Sequence, residues 1–88
     1  MDKKRPSDFD AAVASVLDQA ITDYGITYVR LSERSGIPYT TLYKYVKGAS
    51  PMPLAAFTKL ANVVGVNPGE IIHAAQTVVN PTEQKPRI

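Results

Sequence analysis

The sequence predicts an all-α fold of five helices, and three observations lead there. Apolar residues recur at helical spacing along most of the chain. Glycines and prolines fall between those runs, where helices stop and start. No stretch reads convincingly as a strand. The nearest, "TYVRL" at 27–31, begins with a good capping residue and is followed by apolar spacing that favours a helix.

Residues 7–24 read as the first helix. Ser7 can cap it, Asp8 and Asp10 sit at its positive end, and Asp10 falls at capping-box spacing. Phe9, Val13, Val16, Leu17, Ala20, Ile21 and Tyr24 share the face expected to be buried, and Gly25 ends the helix. Thr27 caps a second, short helix through Ser35, with Tyr28, Leu31, Ser32 and Ser35 inward and Arg30, Glu33 and Arg34 outward. Gly36 stops it. Only Ile37 separates that stop from Pro38, which suits a first helical position and forces Ile37 out of the helical region. The third helix therefore spans 38–47 and ends at Gly48. After the turn "ASPMP", Pro53 opens a fourth helix with Leu54, Phe57, Leu60, Ala61 and Val64 facing the core and Gly65 as its stop. The stretch "NPGE" starts the fifth, with Asn67 as cap, Pro68 first and Glu70 at the third position. That helix runs to about Val79.

A chain of 88 residues holds one small domain. The expected layout is a flexible basic arm at 1–6, a domain at 7–79 and a flexible, polar, proline-bearing tail at 80–88. A domain of this size buries about 60 to 65% of its unfolded surface, which leaves little area for a deep catalytic pocket. There is no cysteine, so disulfides, thiolate nucleophiles and cysteine zinc sites are excluded. His73, the single histidine, lacks partners for a metal site or a triad, and Ser32 and Ser35 have no base nearby. No apolar run approaches ~18 residues, and the start lacks the apolar stretch of a signal peptide. The expectation is a soluble, cytoplasmic protein that is not an enzyme, needs no cofactor or metal, takes no small-molecule substrate and binds no membrane.

The net charge of +2 hides a segregated distribution. Residues 2–5 contain Lys3, Lys4 and Arg5 with one acid, the first helix carries Asp8, Asp10, Asp18 and Asp23 with no base, and residues 30–48 return to Arg30, Arg34, Lys44 and Lys47 against Glu33. Such segregation points towards a polyanion as partner, against the plainer reading of solvated surface. At 100° per residue, the third helix places Leu42, Tyr45 and Val46 on one side, with Thr41 at the edge. Thr40, Tyr43, Lys44 and Lys47 fall on the opposite side, and Tyr39 at the N-terminal shoulder. The outer side is thus basic, hydroxyl-rich and aromatic. Its lysines and hydroxyls can donate to phosphate oxygens, lysine can reach acceptor edges of guanine, and a tyrosine ring or threonine methyl can pack on a thymine methyl. Ser32, Gly36 and Leu42 complete the pattern: a small residue where two helices cross, one that tolerates a left-handed backbone, and an aliphatic plug between them.

Residues 27–75 resemble the lambda-repressor-like, Cro-type helix-turn-helix family (the XRE group), found in phage repressors, Cro proteins and antitoxins. "LSERSGIPYTTLYKYVKG" at 31–48 and "LAAFTKLANVVGVNPGEII" at 54–72 carry the resemblance. It implies five helices, with the helix-turn-helix at helices two and three and the third helix lying in the DNA major groove. By the same similarity Tyr39, Thr40 and Lys44, with Tyr43 beside them, fall at positions that contact base edges, and Thr27, Tyr28 and Lys47 at positions that contact phosphates. Lys3, Lys4 and Arg5 look like the lysine-rich arm of lambda-type repressors; the alternative is an ordinary loose start. Three residues depart from the family pattern. Tyr28 replaces a glutamine, and Pro38 replaces a capping serine or threonine. Val46 replaces a glutamate that pairs with an arginine of helix one. The first helix has no arginine, so an apolar contact is expected where the family has an ion pair.

Two functions follow as expectations. One is a sequence-specific double-stranded DNA-binding transcriptional regulator, a phage or prophage repressor or Cro-like protein. The other is an antitoxin or anti-repressor that uses the same scaffold to grip a protein. The broad apolar face of helix five, including Ile72, Val78 and Val79, reads either as core packing or as a homodimer seam.

Overall fold

The computed structural model describes residues 8–79, and the expected arm, the Ser7 cap and the tail lie outside them. Five helices follow in order: α1 (Asp8–Tyr24), α2 (Tyr28–Ser35), α3 (Tyr39–Val46), α4 (Leu54–Val63) and α5 (Pro68–Val79). Among the described residues there is no strand, and no helix is long and apolar enough to cross a membrane. The all-α expectation holds, helix by helix.

The ends of the helices are set by local chemistry. The Thr27 hydroxyl oxygen accepts the Arg30 N–H at 3.1 Å, and Asn67 Oδ1 accepts the Gly69 N–H at 2.7 Å, so both expected caps are made. Prolines behave less uniformly. Pro68 opens α5 as its first residue, whereas Pro38 and Pro53 sit one step outside, in extended backbone at ψ 143° and 150°. The third helix is accordingly 39–46, shorter by one residue at each end than the expected 38–47, and Lys47 is its C-terminal flanking residue.

One core joins all five helices. Leu17 and Ile21 of α1, Leu31 of α2, Leu42 of α3, Leu60 of α4 and Ile71 of α5 are all at most 1% exposed. Long α1 packs most extensively on α5, and α2 bridges α3 and α4. Burying six large aliphatic side chains contributes on the order of 1.5–3 kcal/mol each before chain entropy is set against it.

Two residues expected in the core are outside it. Tyr24 is half-exposed; it is the last residue of α1, one turn past buried Ile21. Leu54 is 72% exposed. As the first residue of α4 it reaches beyond the packed layer and lines an open apolar groove with Phe9, Val13, Met52 and Phe57. Helical phase alone could not show where the neighbouring helices end. Conversely Ile37, expected only as an extended linker, is buried in the core between α2 and α3.

Candidate nucleic-acid interface

The α2–α3 turn fixes how α3 is presented. Gly36 adopts a left-handed backbone (φ 79°, ψ 7°) and donates its N–H to the Ser32 carbonyl at 2.9 Å. The Ser32 hydroxyl donates to the Ile37 carbonyl at 2.6 Å, and Ser35 Oγ accepts the Ile37 N–H at 3.2 Å. Small serines therefore do more than permit close helix crossing. They satisfy both backbone groups of the one residue between glycine and proline, whose burial would otherwise be costly. Below the turn, Leu42 and Val46 point into the core and Tyr45 packs against it.

The opposite side of α3 faces solvent. Thr40 and Lys44 are exposed, and Tyr39 and Tyr43 are 46% and 45% exposed. Their rings stack at 6.3 Å between centroids, 24° from parallel. Tyr28, at the start of α2, meets Tyr43 edge to face at 5.9 Å and 76°. The three tyrosines thus form a continuous aromatic strip from α3 back to α2. Lys44 makes no hydrogen bond or ion pair through its side chain with the described residues, so its ammonium is available to an incoming acceptor. Thr27 spends its oxygen lone pair as the α2 cap and keeps its hydroxyl proton for donation.

Lys47 and Tyr28 are differently placed. Both converge on Asp18 of α1: the Tyr28 hydroxyl donates to Oδ1 at 2.5 Å, and the Lys47 ammonium to Oδ2 at 3.2 Å. The same ammonium lies 5.4 Å from the Tyr28 ring centroid and 5.8 Å from that of Tyr43. The neighbouring Tyr28 hydroxyl, and then the Asp18 carboxylate, push Lys47 up to about 12. Burial, followed by the bond to Asp18, raises the Tyr28 phenol above its usual 10.0. The expected apolar contact at the α1–α3 junction is made, with Val46 in the core with Leu17 and Ile21, and a polar contact not expected from sequence lies next to it. This is an ion pair with its signs reversed, the acid on α1 and the base just after α3.

Most of the residues singled out from sequence are thus brought to one side of the domain: Tyr39, Thr40, Tyr43 and Lys44 on α3, Lys47 behind them, and Thr27 and Tyr28 at the start of α2. Lys3, Lys4 and Arg5 lie outside the described residues. Asp18 was missed. It looked like one of four acids scattered on α1, and its partners are 10 and 29 residues away in the chain.

Two short helices joined by a glycine turn, the second offering exposed hydroxyls, aromatic rings and a free ammonium, define a helix-turn-helix domain. Among the described residues no group of three acidic, histidine or cysteine side chains could hold a metal ion. Residues 16–76 match the family model of the Cro/C1-type HTH DNA-binding domain, and the chain belongs to that family. It is a DNA-binding domain of a regulator family, and double-stranded DNA is its partner. No curated protein and no solved structure matches the chain.

Proposed function

We propose that this protein is a sequence-specific transcriptional regulator, a phage or prophage repressor or Cro-like protein acting in the cytoplasm, that lays the outer face of α3 in the major groove. The observation that carries this reading is the solvent-facing row of Tyr39, Thr40, Tyr43 and Lys44 on α3, the second helix of the helix-turn-helix in a Cro/C1-type domain. Their donors and ring edges suit base-edge contact, and Lys44 has no competing partner. Thr27, Tyr28 and Lys47 flank the row and serve the phosphates, joined by Lys3, Lys4 and Arg5 as an arm at 1–6 that precedes a 7–79 domain, with 80–88 as a tail. Each base contact specifies and each phosphate contact positions. The role is binding, not catalysis.

A homodimer through α5 extends this reading. Val78 is exposed, while Ile72 and Val79 are half-buried; a second copy would cover them and place two α3 helices about 34 Å apart on two half-sites. The alternative of an antitoxin or anti-repressor gripping a protein draws on exposed Leu54 and its apolar groove. Selection from a random duplex pool at two salt concentrations separates the two. A regulator recovers one motif at both, with inverted symmetry if a dimer binds. A protein-gripping module recovers none, and that result would remove the proposal.

A further inference from the structure

We propose that Asp18 is a positioning residue that competes with the DNA backbone for Lys47, holding the ammonium on the protein until a phosphate displaces it. The inference rests on the DNA-binding reading above, with Lys47 facing phosphates, and adds a residue outside both helices of the motif.

Two anionic oxygens of one carboxylate each hold one donor, a tyrosine hydroxyl at 2.5 Å and a lysine ammonium at 3.2 Å. That is the donor set a phosphodiester would find, and both donors belong to side chains flanking the α3 surface. Asp18 thus occupies, within the chain, the role of a phosphate oxygen pair. Exposure sets which partner can leave. The Asp18 side chain is 25% exposed and fixed on α1, whereas Lys47 is 42% exposed at the end of a flexible stem. The ammonium rests over the Tyr28 and Tyr43 rings, so it remains beside the α3 surface when it turns outward. An exposed ion pair contributes little to stability, while transfer of the ammonium to phosphate releases a condensed counterion. Exchange is therefore accessible, but its gain is reduced by the pair broken and by a carboxylate left near the duplex. Both penalties apply to any sequence, so Asp18 restrains indiscriminate binding.

The test is a double-mutant cycle on the whole chain with a duplex of arbitrary sequence: wild type, Asp18→Asn, Lys47→Ala and the double variant, each across a range of salt. Asparagine keeps an oxygen for the Tyr28 hydroxyl. Asp18→Asn is expected to bind about fivefold tighter with an unchanged salt slope, because Lys47 reaches the phosphate in both proteins. In the Lys47→Ala background the gain should fall below about twofold, because the competitor has nothing left to hold. An equal gain in both backgrounds would reduce Asp18 to a general negative charge and overturn the proposal. Unchanged or weaker binding by Asp18→Asn would also overturn it, since the carboxylate would then aim its donors productively. Failure of the wild type to bind any duplex at low salt would instead overturn the DNA-binding reading itself. A second readout needs no variant: the side-chain carboxyl resonance of Asp18 should move when duplex is added to the wild type, and a static resonance with bound duplex would contradict the exchange.

Discussion

Replacing Gly36 with alanine perturbs the turn and nothing else. An added Cβ at Gly36 would meet no heavy atom within 4 Å, so steric conflict with the rest of the fold is absent. What remains is backbone strain, because φ is 79° and an L side chain in the left-handed region costs about 1–2 kcal/mol. Alanine also stiffens the unfolded chain, which offsets part of that cost, leaving a net destabilisation of about 1 kcal/mol. For a domain of this size the melting temperature should drop by about 4–8 °C. Gly36→Asn should recover roughly half, since asparagine tolerates the left-handed region better. Thermal unfolding followed by circular dichroism reads both shifts. Duplex affinity, measured well below the melting point, should stay within about twofold, as the turn geometry is not sterically altered. A melting temperature unchanged in the alanine variant would refute the left-handed turn. A large loss of binding with intact stability would refute the claim that the glycine serves only the backbone.

Other outcomes follow from the interface. Lys44→Ala should leave stability within about 0.5 kcal/mol, cost about 1–3 kcal/mol in binding to the selected site and relax preference at one base position; Lys47→Ala should instead weaken all duplexes alike, and titrations on matched and mismatched duplexes distinguish the two. Deleting residues 2–5 should flatten the logarithmic salt dependence of affinity by about 2 to 3 units, and an unchanged slope would remove the arm. The raised Tyr28 phenol stabilises the fold fully below pH 10.0, and that contribution is lost as pH rises through its higher folded value. Phenolate absorbance should therefore show a component ionising above the ordinary tyrosine range, and Tyr28→Phe should remove it.

Local chemistry made much of the fold legible. Thr27, Gly36 and Asn67 act within a few residues of themselves, so their roles as caps and stop could be read from neighbours alone. The two faces of α3 followed from period, since Leu42 and Val46 recur one turn apart and the polar residues fill the other side. Pro38 and Pro53 misled by one position: a proline fits just outside a helix as well as at its first residue, and spacing does not distinguish the two. Tyr24 and Leu54 were misplaced because they sit at helix ends, where burial depends on how far a neighbouring helix extends. Asp18 was illegible for a related reason. Its meeting with Tyr28 and Lys47 is made by the crossing of α1 with the α2–α3 unit, and that crossing leaves no periodic signal in the chain. One departure from the family pattern did hold a clue, as the Tyr28 hydroxyl and the charge of Lys47 together call for an acid nearby.

The most direct measurement is an amide and side-chain resonance map of the domain titrated with its selected duplex. The largest shifts should fall on Tyr39, Thr40, Tyr43 and Lys44, with smaller ones at Thr27, Tyr28 and Lys47, while the Leu54 groove stays quiet. Shifts gathered at that groove, with the outer face of α3 unmoved, would contradict the placement of α3 against DNA.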